Sequence, residues 1–195
     1  WVGTAHDGIY IYNPQKGSLQ PAGNYFKNFI QLPQQNIFSL MEADNETIWA
    51  GTKQGLFSIN TSTGEWKPID LYNEQGTKVF PEIRKIIKDK NNNCYIATVN
   101  NGLFFYNGRS GIFYNYTYNE RWNNSLPDNH INDIAEGNNG VFWLTTEDAG
   151  LSKLNTWYSR YTYTIVPPFS SEKNLVTVTD VQKKGTDTWL ATSEG

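Results

Sequence analysis

The chain has 195 residues, with 18% charged and 15% aromatic side chains and a formal net charge of −3. Low charge with many aromatics excludes a disordered chain, and the absence of a basic block excludes a phosphate-backbone binder, so no nucleic-acid partner is expected. No apolar run reaches the 18 or so residues a membrane helix needs, and the single Cys94 excludes an internal disulfide.

The chain opens on Trp1-Val2-Gly3-Thr4, then Gly8-Ile9-Tyr10-Ile11-Tyr12-Asn13. An aromatic, a small residue and a Thr make a short strand, and a Gly permits the positive φ of a tight hairpin. A second apolar strand follows and ends at an Asn suited to a turn. Residues 1–20 therefore read as the last three strands of a partial blade. Residues 21–35 connect, with Phe26, Phe29, Ile30 and Leu32 expected to tuck against the strands. Residues 36–70 read as a full blade. The pair Ile37 and Leu40 supplies a first strand, Trp49-Ala50-Gly51-Thr52 a second, Leu56-Phe57-Ser58-Ile59 a third and Glu65-Trp66-Lys67-Pro68-Ile69 a fourth. Residues 71–81 connect, with Gly76 and Pro81 as breakers. The next full blade spans about 82–118, around Tyr95-Ile96-Ala97-Thr98 and Gly102-Leu103-Phe104-Phe105. A polar connection carries Arg121 and Trp122. A third full blade covers about 130–165, around Trp143-Leu144-Thr145-Thr146 and Gly150-Leu151. Residues 166–173 connect, and residues 174–195 give the first two strands of a further partial blade, through Trp189-Leu190-Ala191-Thr192.

The anchors at 1, 49, 95, 143 and 189 recur at steps of 46 to 48 residues. That period, four short strands per unit and regular turns predict an all-β fold: a β-propeller fragment of four-stranded antiparallel blades, about four blade equivalents. Residues 1–195 are expected to be a single propeller segment. No window carries the apolar face of a useful helix. Because the chain starts and stops in mid-repeat, it is expected to be a piece of a longer polypeptide. Its open sides would be covered by the rest of that propeller or by a second copy in a homodimer, since propellers close with about four to eight blades.

The register-locked aromatics are expected to pack blade on blade, and function should sit where the copies differ. The loops between second and third strands gather on one face with the blade-to-blade connections. They carry His6 and Asp7; Lys53 and Gln54; Asn100 and Asn101; Glu147 and Asp148; and Ser193 and Glu194. Arg121 and Trp122 add a stacking element on the same face. A cation, amides and carboxylates suit a hydroxyl-rich ligand. His6 and His130, the only histidines, lie far apart in the repeat, so no metal site is expected, nor any cofactor. No nucleophile elbow, phosphate loop or Cys/His cluster is present, and no catalytic residue is assigned.

The phrase Trp49-Ala50-Gly51-Thr52-Lys53-Gln54-Gly55-Leu56-Phe57-Ser58-Ile59-Asn60, with Ile37-x-x-Leu40 and an Asp44-led turn before it, resembles the two-component regulator propeller repeat. The resemblance runs through the chain in register. It departs where Tyr95 replaces the Trp, where Ala97 and Thr145 replace the Gly, and where Lys153 interrupts a strand. Such repeats occur in periplasmic sensor regions of hybrid two-component histidine kinases of Bacteroides-type bacteria, often responsive to oligosaccharides. The resemblance therefore implies an oligosaccharide-sensing, periplasmic, non-enzymatic segment, anchored through an inner-membrane parent that carries the kinase. Two alternatives are a carbohydrate-active propeller enzyme, a lyase or glycosidase, and a protein-interaction scaffold.

Overall fold

The computed structural model describes residues 1–26, 29, 32, 36–122, 125–138, 140–155, 160–164 (backbone only), 177–185 and 187–192. The first sheet holds β1 (Val2–Gly3), β2 (Ile9–Asn13) and β3 (Ser18–Pro21), followed by a single helical turn, α1 (Ala22–Tyr25). The second holds β4 (Ile37–Asp44), β5 (Thr47–Thr52), β6 (Gly55–Asn60) and β7 (Trp66–Ile69). A small hairpin, β8 (Leu71–Tyr72) with β9 (Lys78–Val79), occupies the next connection. The third sheet holds β10 (Glu82–Lys88), β11 (Cys94–Val99), β12 (Leu103–Asn107) and β13 (Ile112–Tyr116). The fourth holds β14 (Ile131–Glu136), β15 (Val141–Thr146), β16 (Leu151–Asn155) and β17 (Arg160–Thr164), and the last β18 (Val178–Lys184) and β19 (Asp187–Thr192). Within each sheet the strands follow chain order and pair antiparallel.

The first strands of successive sheets lie side by side, β4 against β10, β10 against β14 and β14 against β18. The sheets therefore fan outward from a common inner row, the geometry of a propeller. Apolar cores lie between neighbouring sheets. Trp49 and Leu56 meet Ile83, Ile86, Ile96 and Phe104; Tyr95, Ala97 and Leu103 meet Ile131, Ile134, Phe142 and Leu144. Ile37 and Ile83, the first apolar residues of β4 and β10, explain the Gly of the first two copies. A Cβ on Gly3 would lie 2.6 Å from Ile37 Cγ2, and one on Gly51 2.5 Å from Ile83 Cγ2. Phe26 and Leu32 are buried and Phe29 packs against the same core; Ile30 and residues 166–173 lie outside the described residues.

Recurring polar contacts fix the turns. Asn13, Asn60 and Asn107 each accept two backbone N–H bonds on Oδ1, at 2.9 to 3.1 Å, which closes the turn between third and fourth strands. The hairpin β8–β9 escaped the sequence reading. Asn73 Oδ1 accepts from Gln75 and Thr77, and Gly76 adopts φ 75°, so a short Asx turn pairs two flanking dipeptides.

Candidate functional site

The loop face is shaped by one repeated hydrogen bond. The hydroxyls of Thr4, Thr52, Thr98 and Thr146 donate to the carbonyls of Gly8, Gly55, Gly102 and Gly150 at 2.9, 2.9, 2.6 and 3.1 Å. All four glycines have positive φ. Each Thr thus clamps the hairpin whose tip carries the candidate residues. The tips stay close to the inter-sheet connections. Asn36 donates to the Ala5 carbonyl, Gly102 N–H to Asn129 O at 2.9 Å, and Asp148 N–H to Asp128 Oδ2 at 3.0 Å.

His6, Asp7, Lys53, Gln54, Asn100 and Asp148 are exposed on these tips, and Asn101 and Glu147 are half-buried. Asp7 also borders a small cleft of about 210 Å³ with Pro21, Gly23, Phe29 and Leu32. Asn100 takes φ 63°, and the Asn101 carbonyl accepts from Asn115 Nδ2 at 2.9 Å. Arg121 and Trp122 project from a turn in which Asn119 Oδ1 accepts the Arg121 N–H; Trp122 is 67% exposed. Ser193 and Glu194 lie outside the described residues. By strand order the candidates lie at one end of the sheets, on separate hairpins and, for Arg121 and Trp122, on an inter-sheet connection.

At the fourth sheet several groups do converge. His130 Nε2 lies 3.6 Å from Glu147 Oε2, and Asp128 accepts the backbone N–H groups of both His130 and Asp148. Asp128 and His130 thus join the predicted pair Glu147 and Asp148. His130 and Glu147 lie 17 positions apart, so spacing along the chain does not reveal their meeting. The register Ile131↔Thr146 brings the start of β14 beside the end of β15 and so joins them.

The inner row was also missed. Ser39, Lys85, Asp133 and Asp180 occupy the same position on β4, β10, β14 and β18, each just after a bulge. Ser39 Oγ accepts the Ile86 N–H of the next sheet at 2.9 Å. Lys85 Nζ lies 3.3 Å from Asp133 Oδ1, and the Asp133 and Asp180 carboxyls share a hydrogen bond. Burial, reinforced by that hydrogen bond, pushes the Asp133 carboxyl up to about 6, and the same bond lowers the Asp180 carboxyl. The sequence signal was the second of the two residues between the paired apolar positions, Ser, Lys, Asp and Asp in turn.

Comparison with known proteins bears on this register. The family model for the two component regulator propeller matches residues 125–148, the stretch holding Asp128, His130, Glu147 and Asp148. Residues 125–148 thus match the two-component regulator propeller repeat. It is 34% identical over 82 residues to Histidine kinase P4 of Formosa agariphila, covering 40% of this chain and 6% of that protein. Its fold matches the extracellular domain of the system BT4673 from B. thetaiotaomicron at a TM-score of 0.72 and 20% identity, over 96% of this chain and 23% of that one. The extracellular domain of BT3049 from the same organism matches at 0.70 and 20%, over 98% and 23%. The propeller repeats described here thus span a small part of each relative's length. No helix among the described residues is long and apolar enough to cross a membrane.

Proposed function

We propose that this chain is a ligand-sensing propeller portion of a two-component sensor histidine kinase, placed on the periplasmic side, with oligosaccharides as its ligand class. The observation that carries the reading is the repeat match at residues 125–148, within which the loop-face cluster lies. The likeness to a histidine kinase supports the signalling role. The saccharide class rests on the chemistry of the face. Carboxylates, amides and the Lys53 ammonium supply acceptors and donors for hydroxyls, and the exposed Trp122 supplies a stacking surface. Binding would change the packing of the sensor against its partner copy, and catalysis would reside in the kinase of the parent chain.

Calorimetry of the complete sensor region against a panel of neutral and acidic oligosaccharides tests this. Binding is expected with at least one of them, weakened about tenfold by Trp122→Ala. Silence across the panel overturns the reading. The convergence of Asp128, His130 and Glu147 favours one second reading, a carbohydrate-active enzyme. It requires the same panel to be cleaved, and cleavage to stop in His130→Gln.

A further inference from the structure

A cleft of about 730 Å³ opens between the second and third sheets, at the end opposite the loop face. Its rim is made of the turns between first and second strands, Asp44, Asn45 and Asn92, with Gly108 after β12. One wall is the cross-strand row Trp49–Ser58–Lys67; the facing wall is the row Lys88–Cys94–Tyr106–Phe113.

The next interface shows why this one is open. There the anchor Tyr95 lies 5.1 Å from Phe105, its cross-strand partner, and 4.1 Å from Phe142 of the following sheet. The equivalent positions at the open interface are Ser58, opposite Trp49, and Cys94, just before the anchor of the third sheet. Two small residues thus stand where two benzyl side chains close the neighbouring gap. Trp49, itself buried, meets Tyr106 edge to face at 5.1 Å and lies 5.9 Å from Phe113, which leaves the half-buried Tyr106 and Phe113 rings as an aromatic floor. Around it stand Glu42, Asp44, Lys67 and Lys88, two carboxylates and two ammonium groups with no net charge. Lys88 Nζ is held by the Ala43 carbonyl at 3.1 Å, and none of the four is in an ion pair among the described residues.

We propose that this cleft is a second binding site, built for one or two pyranose rings of an uncharged saccharide. The volume falls within the ~300–1,000 Å³ typical of ligand pockets. The aromatic floor takes the apolar face of a sugar ring, and a rim offering both donors and acceptors matches hydroxyls, which are both. Charge balance disfavours a ligand of either sign. The site is separate from the loop face, so either can fail without the other.

Amide NMR of the isotope-labelled chain, titrated with maltose, with cellobiose and with digalacturonate, tests it. The neutral disaccharides are expected to move the amides of Lys67, Asn92 and Gly108 and to leave those of Asp7, Lys53 and Asn100 in place. Ser58→Phe, which restores the residue type of the neighbouring interface, is expected to weaken this binding about tenfold. Lys67→Ala, on an exposed side chain, carries the test if thermal melting shows the Phe variant unfolded. No shift with either neutral sugar, shifts confined to the loop face, stronger binding of digalacturonate, or unchanged affinity in a folded variant overturns the proposal. Loop-face shifts alone would leave the sensing reading standing.

Discussion

Single residues of the repeat have distinct physical tasks. Thr98 is fully buried, and its hydroxyl is the donor that satisfies the Gly102 carbonyl at 2.6 Å. Gly102 is itself irreplaceable in place, since a Cβ there would meet Tyr116 O at 2.1 Å and φ is 68°. Thr98→Val keeps shape and strand preference and removes only the donor. We expect a loss of about 1–2 kcal/mol, read as a lower urea midpoint at unchanged slope. An unmoved midpoint would deny the clamp its role. The anchors differ in what covers them. Trp49 is 8% exposed and Tyr95 3%, each with a following sheet against it, whereas Trp189 is 64% exposed.

At the scale of the element, the inner strand unites the fold. Each bulge falls between the first apolar position and the residue just before the second, which turns one polar side chain toward the adjacent inner strand. Where that side chain is Ser39, it bonds the neighbouring backbone; where it is Asp133, it meets Lys85 and Asp180. The Asp133 carboxyl, raised to about 6 by burial first and by its bond to Asp180 second, holds a proton in the folded state that the unfolded chain releases near 3.8. The folded state therefore binds more protons across this window, and its stability falls as pH rises from about 4 to about 6. The Asp180 carboxyl is lowered and offsets part of the effect. Asp133→Asn, which keeps an acceptor for the backbone, should flatten this decline, a change on the order of 1 kcal/mol. Denaturation midpoints measured at pH 4, 5, 6 and 7 check it; parallel curves for both proteins would refute the pair's contribution.

For the whole molecule, the open question of physics is the side of the last sheet that bears Trp189. We propose that all the sheets are blades of one propeller and that this side is covered by a further sheet, from a longer polypeptide or from a second copy. If a second copy covers it, sedimentation of this chain should show concentration-dependent association that Trp189→Lys abolishes, because a buried ammonium without a partner is costly. A monomer at all concentrations, identical in both proteins, would remove the second copy from consideration. The same side-by-side stacking limits each core to one interface, as in other repeat folds, so a substitution at Ser58 is expected to act locally.

The sequence alone determined the architecture, because a fixed spacing of aromatic, Thr, Gly and Asn specifies strand, clamp, hairpin and turn through contacts a few residues apart. The pairs Ile83 and Ile86 and Ile131 and Ile134 were legible as inner strands for the same reason. Which loops lie at one end of the sheets was legible too, since loop position follows from strand order. What only the tertiary structure decided lies between sheets. Lys85 beside Asp133 and the gap left by Ser58 and Cys94 depend on residues 36 to 48 positions apart meeting across an interface. Local propensity carries no information about such meetings; the stacking angle and register of neighbouring blades create them.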